Sequence, residues 1–212
     1  MKIDELLHTV GDLPVFDSSL LLAGAVHPKE ISRQLSRWVA GGRLVQLRRG
    51  LYAIAPPLQR IKPHPFVIAN QLDTGSYVSC QSALSYQGII PEFVPVTVSV
   101  GPGRPERRTT PLGVFEFHHL KHQALFGYQK VELGGQSAFV AYPEKALLDW
   151  VYLTPRADEE AFLRELRLNL DGTLDRGRIF AFAQKWGSKK LQRAVSVIER
   201  LLQEQKNSYQ NL

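Results

Sequence analysis

Between Pro28 and Ala55 the hydrophobic period of the chain switches from that of a helix to that of a strand within a few residues, and this switch restricts the possible architecture more than any other feature. In "PKEISRQLSRWVA", Ile31, Leu35, Trp38 and Val39 recur at spacings of three and four and so share one face of a predicted helix. Pro28 stands where a first-turn proline is tolerated, and Gly41 and Gly42 end the helix. "RLVQLRRGLYAIA" follows directly, with Arg48, Arg49 and Gly50 between two short runs of strand formers. An apolar helix face next to a hairpin needs further elements to cover it. The residues upstream supply them: Ile3, Leu6, Leu7 and Val10 recur at helical spacing until Gly11 and Pro14, and Asp17 or Ser18 is placed to cap a second short helix through Leu20, Leu21 and Leu22.

The expected order is therefore helix, helix, helix, β-hairpin. That is the order of a winged helix-turn-helix, in which the third helix lies in the major groove of DNA and the hairpin touches the backbone or the minor groove. The face of the third helix opposite its apolar stripe carries Lys29, Ser32, Arg33, Ser36 and Arg37. From Pro28 to Lys62 the basic residues are Lys29, Arg33, Arg37, Arg43, Arg48, Arg49, Arg60 and Lys62, against the single acid Glu30. Exposed helix faces are commonly charged and a glycine commonly turns a hairpin, so no one of these features points to nucleic acid alone; their conjunction in this order does.

Length and composition are permissive. The 212 residues, 44% of them apolar, suffice for one large domain or two small ones around a real core. A formal net charge of +6 suits a polyanionic partner without requiring one. The sequence has no uninterrupted apolar stretch of membrane-spanning length, and "MKIDELLHTV" carries acids and no signal-like apolar block, so a soluble, cytoplasmic protein without membrane association is expected. The single cysteine, Cys80, can form neither an internal disulfide nor a thiolate cluster for zinc, and is read as a small buried hydrophobe.

"APPLQRIKPHP" reads as a linker, dividing the chain into residues 1–60 and 61–212. Beyond it a mixed pattern is predicted. Phe66 to Leu72 and Gln81 to Tyr86 read as helices around a strand at "SYVS", and "PVTVSV", "VFEFHHL", "YQKVELGG" and "QSAFVA" read as strands, the last two joined at Gly134 and Gly135. Helices take over from Pro143, in "PEKALLDWVYL", "ADEEAFLRELRLNL", "DRGRIFAFAQKW" and "SKKLQRAVSVIERLLQEQ", the last with a stripe of Leu191, Ala194, Val195, Ile198, Leu201 and Leu202. The expected fold class is α+β, an N-terminal winged helix-turn-helix followed by a mixed α/β domain ending in helices.

Other candidate chemistry does not cohere. "HHLKH" gathers His118, His119 and His122, but neighbours in a strand point to opposite faces, so no metal site is expected. "GPGRPERR" lacks the following helix of a phosphate loop and reads as a mobile basic loop, its Arg104, Arg107 and Arg108 either solvated or lying along DNA backbone. In "PEKALLDW", Glu144 favours the helix dipole and Lys145 can pair with Asp149, which are structural roles. No catalytic residues and no cofactor are expected.

The wing "LVQLRRGLYAIA", the stretch "YVSCQSALSYQGIIPEFVPVTVSVGPGRPERR", "VFEFHHL" and "AYPEKALLDWVY" together resemble the AbiEi antitoxins of type IV toxin-antitoxin (abortive infection) systems, over most of residues 1 to 153. The resemblance implies a transcriptional regulator whose winged helix binds inverted repeats in double-stranded DNA at its own promoter as a repressor, with two copies meeting on the DNA either as a preformed dimer or as monomers assembling there. It also implies a C-terminal domain that opposes a nucleotidyltransferase-type toxin without a stable complex, and no chemistry of its own. By position, Arg33 and Arg37 fall on the recognition-helix face and Arg48 and Arg49 on the wing tip. Two other readings stand beside it: a freestanding winged-helix transcription factor with a ligand-sensing or dimerisation domain, and a nuclease targeted by a winged helix.

Overall fold

The computed structural model describes residues 1–22, 27–168 and 174–210. Among them it is a mixed α+β protein, with eight α-helices and two sheets. The N-terminal helix α1 (Ile3–Val10) is closed at its start by Glu5, whose carboxylate accepts the Lys2 amide at 2.8 Å, and buries Leu6 and Val10. A two-residue strand β1 (Phe16–Asp17) follows, which the sequence pattern did not announce. The expected second helix is instead a 3-10 turn over Ser18–Leu22. Asp17 does cap it, accepting the Ser19 amide at 2.9 Å, but Phe16 and Asp17 are held in antiparallel register with Tyr52 and Leu51, so the chain leaves a sheet edge directly into the turn. Helix α2 (Pro28–Ala40) then buries Ile31, Leu35 and Trp38 against Leu6, Val10, Phe16 and Leu21, and the hairpin of β2 (Leu44–Arg48) and β3 (Leu51–Ile54) completes a three-stranded sheet ordered β1-β3-β2.

The second unit is built on a six-stranded sheet ordered β6-β7-β5-β4-β9-β8. Its elements run α3 (Pro65–Leu72), β4 (Tyr77–Val78), α4 (Cys80–Tyr86), β5 (Val96–Gly101), β6 (Glu106–Thr110), β7 (Gly113–His119), β8 (Tyr128–Glu132) and β9 (Ser137–Ala141), then α5 (Pro143–Leu153), α6 (Glu160–Glu165), α7 (Arg176–Trp186) and α8 (Lys189–Gln210). β5 runs parallel to β7 and β4 parallel to β9, while β6 and β8 form antiparallel edges. The stretch expected to be a mobile loop is in part strand: Glu106 to Thr110 pairs with β7 from Phe117 to Gly113. Five polar residues make a poor central strand but a good edge, where one side of the ladder faces water and charges discourage pairing with other chains. The helix expected over "ADEEAFLRELRLNL" is reduced to α6, its continuation broken by Arg167 at φ +46°, and Asn169 and Leu170 lie outside the described residues. In α8, Leu191, Ala194, Val195, Ile198 and Leu201 are buried as the stripe required, and the side chain of Leu202 lies outside the described ones.

The two units share the hairpin. β3 is buried at all four positions: Tyr52 and Ile54 belong to the N-terminal core, whereas Leu51, with Leu47 and Val15, packs into the core of the second unit. The end of the proline-rich segment is also held, since the Gln136 side chain donates to the Lys62 carbonyl at 2.9 Å and accepts the His64 amide at 3.0 Å. No helix among the described residues is long and apolar enough to cross a membrane.

Candidate nucleic-acid interface

Helix α2 carries the first part of the candidate surface. Burial of Ile31, Leu35 and Trp38 fixes its rotation, and that rotation turns Lys29, Ser32, Arg33, Ser36 and Arg37 outward, all exposed. The Ser36 hydroxyl donates to the Ser32 carbonyl at 3.0 Å, so one of the two serines is partly engaged in its own helix. The helix stops as the double glycine requires: the Gly41 amide returns to the Arg37 carbonyl at 2.9 Å, and the Arg43 amide to the Trp38 carbonyl at 2.8 Å. That last bond aims the exposed Arg43 out of the helix end and starts β2 beside it. Among the described residues, Lys29, Arg33, Arg37, Arg43 and Arg49 form no ion pair, so the surface presents positive charge without internal neutralisation.

The hairpin turn is anchored rather than free. A register shift between Gln46 and Arg48 brings Arg48 opposite Leu51, leaving Arg49 and Gly50 as the turn. Gly50 adopts φ +84°, which a side chain would resist, and its carbonyl accepts the Ser18 amide at 2.7 Å. The two turn arginines consequently differ. Arg49 is exposed, whereas Arg48 is half-buried and donates to the Arg49 carbonyl at 3.1 Å and to the Gln71 carbonyl of α3 at 3.4 Å. Asp17 lies close by, its carboxyl held below the ordinary range by the Ser19 amide, with Arg48 contributing.

Of the basic residues expected in the β5–β6 segment, Arg104 is exposed in the turn, while Arg107 and Arg108 lie on β6. Arg107 pairs with Glu116 at 3.3 Å, and Arg108 grips Glu106 with contacts of 2.6 Å and 2.7 Å. Both are paired, and they stand on the second unit's edge strand rather than on α2 or the hairpin. The histidines separate as strand geometry demands: His118 faces Glu116 at 3.1 Å, and His119 Nδ1 lies 3.1 Å from the Pro102 carbonyl and 3.0 Å from that of Gly103. No group of metal-ligating side chains forms among the described residues.

Sequence reasoning missed how deeply the charges of α5 are buried. Glu144, Lys145 and Asp149 are all inaccessible to solvent. Lys145 pairs with Asp149 and donates to the Tyr77 hydroxyl at 2.7 Å, and the Ser79 hydroxyl donates to Asp149 at 2.6 Å. The ammonium lies 4.3 Å from the centre of the Trp186 ring and 5.2 Å from that of Phe126. Burial pushes the Lys145 amine down and the Asp149 carboxyl up, each opposed by the other's charge. Glu144 accepts the Asp175 amide at 2.7 Å and lies 3.5 Å from Arg178, fastening the start of α7 to α5. Beside this cluster, Cys80 occupies a strand-to-helix turn at φ +49°, a conformation unusual for a side-chain-bearing residue. Its thiol is buried, and burial with the nearby Asp149 raises it well above the ordinary range, the reverse of what an activated nucleophile needs. Three charges within "PEKALLDW" are a signal for such a network, yet spacing alone cannot separate a surface pair from a buried one.

What this chain presents is therefore a basic helix face without ion pairs among the described residues, a hairpin turn that exposes Arg49, and a closed polar network in the core. No protein-family model matches the sequence, and no curated protein matches it.

Proposed function

We propose that this chain is a sequence-specific double-stranded DNA-binding protein of the AbiEi antitoxin type, acting in the cytoplasm. In this reading residues 1–60 are a winged helix-turn-helix that represses its own operon at an inverted repeat, and residues 61–212 counteract a nucleotidyltransferase-type toxin without a stable complex. The observation that carries the reading is the exposed face of α2, with Lys29, Arg33 and Arg37 free of acidic partners among the described residues, next to a hairpin turn that exposes Arg49. Such a face suits a major groove, where a guanidinium can take guanine O6 and N7 together. The packed hairpin also favours a second reading, a regulator whose C-terminal domain senses a ligand, because anything that shifts α3 acts on Arg48 and the turn.

Affinity for the chain's own upstream DNA and for a scrambled duplex, measured over a salt series, tests the proposal. Arg33→Ala and Arg37→Ala are expected to cost about 1–3 kcal/mol on the specific site and to narrow its advantage over scrambled DNA. Arg49→Ala should weaken both duplexes alike and flatten the slope of log affinity against log salt by about 0.9, the signature of one lost phosphate contact. Arg48→Ala should leave that slope nearly unchanged, since its guanidinium is spent on the Arg49 and Gln71 carbonyls. Wild-type affinity and slope in Arg33→Ala, Arg37→Ala and Arg49→Ala alike would refute DNA recognition by this surface. Footprinting should show two protected blocks related by symmetry, with half-sites about one helical turn (~34 Å) or a multiple of it apart; a single unrepeated block would contradict the paired arrangement.

A further inference from the structure

Behind the last turn of α3 four charged side chains line one cleft, and while Arg108 and Glu106 pair with each other, Asp73 and Arg104 form no ion pair among the described residues. The cleft, about 440 Å³, is lined by Leu72, Asp73, Arg104, Glu106, Arg108 and Phe117 among others. Leu72 and Phe117 are buried and give it an apolar floor. Arg108 is paired with Glu106 through Nε and Nη2, so the cation in the cleft without an acidic partner among the described residues is Arg104, which is exposed. The anion is Asp73. It is half-buried, and among the described residues its carboxylate receives no hydrogen bond, Ser76 donating at 2.7 Å to the backbone carbonyl of Asp73 instead.

The turn before β6 is fitted around that carboxylate. A Cβ on Gly101 would stand 2.9 Å from Asp73 Oδ2, and one on Gly103 would stand 3.1 Å from it, so both glycines clear the space the carboxylate occupies. Burial raises the Asp73 carboxyl above the ordinary range, with Arg108 opposing and the nearby Glu106 adding to the rise. A carboxyl raised in the folded state contributes stability below its unfolded value and loses it as pH rises through the folded one, so near neutrality the ionised group is a net liability. The carboxylate therefore presents to the cleft acceptor capacity that no protein donor uses among the described residues.

We propose that this cleft binds a small zwitterion, with its ammonium on Asp73 and its carboxylate on Arg104. An anion alone, DNA phosphate included, would meet Asp73, and a cation alone would meet Arg104; a molecule carrying both charges satisfies the two ends, and its hydrocarbon spacer lies on Leu72 and Phe117. The volume is within the range of small-molecule sites, roughly 300–1,000 Å³. The site adjoins the hairpin anchor, since Leu72 follows the Gln71 whose carbonyl holds Arg48.

Calorimetric titration and thermal melting of the full-length chain with glycine, β-alanine, γ-aminobutyrate and δ-aminovalerate, against methylamine and acetate, test this without any DNA in the assay. One charge separation in the series should bind and raise the melting midpoint in proportion to the logarithm of its concentration, while methylamine and acetate do neither. Asp73→Asn should melt no lower than wild type at neutral pH yet bind that zwitterion roughly tenfold to a hundredfold more weakly, and Arg104→Gln, an exposed change, should weaken it similarly. If no member of the series binds better than methylamine or acetate, or if both variants keep the wild-type response, the proposal is wrong.

Discussion

Lys145→Met should destabilise the folded chain by about 3–5 kcal/mol, the cost of leaving a buried partner charge unmatched. Asp149 would then sit in the core with only the Ser79 and Tyr77 hydroxyls to satisfy it, and Tyr77 would lose the ammonium it accepts from at 2.7 Å. Asp149→Leu should cost a similar amount by stranding the ammonium among Trp186, Phe126 and Tyr77. The double variant Lys145→Met/Asp149→Leu is expected to recover a large part of either loss, because two apolar side chains need no compensation where one lone charge does. Denaturant unfolding of the four proteins gives the coupling directly. Additive losses in the double variant would show that the pair is not the unit in which this core is stabilised.

The second large effect is expected at Gly127. Its φ of +71° already disfavours a side chain, and a Cβ there would lie 2.9 Å from Phe182 and 3.2 Å from Lys145 Cβ and Cγ. Crowding against the buried Lys145 stem and the half-buried Phe182 ring costs about 1–3 kcal/mol and the left-handed backbone a further ~1–2 kcal/mol, so Gly127→Ala should lose roughly 2–5 kcal/mol. Gly134 supplies the control: it has φ +60° but nothing within 4 Å of its would-be Cβ, and Gly134→Ala should show the backbone cost alone. Equal shifts of the denaturation midpoint in the two variants would contradict the packing argument.

Local pattern made much of this architecture legible. The 3.6-residue period placed α2 and the stripe of α8, and the alternation of "VFEFHHL" placed β7, because in each case a single face had to be buried; "PVTVSV" was readable as β5 from its β-branched residues, although that strand is buried on both faces. The errors fall where long-range pairing outweighed local preference. Phe16 and Asp17 became a strand because Tyr52 and Leu51 offered an edge, and "ERRTT" became one because β7 did. The basic face of α2 was readable for the same reason as its apolar face, one being the complement of the other. The different fates of Arg48 and Arg49 were not, since the Gln71 carbonyl that holds Arg48 is remote in sequence. Nor could i to i+4 spacing reveal that Lys145 and Asp149 would meet out of reach of water.

The double occupancy of the hairpin bears on how this protein could be rebuilt. Leu47, Leu51 and Val15 are wall to one compartment while Tyr52 and Ile54 are wall to the other. Grafting a foreign module in place of residues 1–60 would therefore open a gap beneath α3 and the sheet unless the incoming hairpin also carried apolar residues on its rear surface. Melting should likewise be a single cooperative event for both halves, because the hairpin is a shared wall of their two cores.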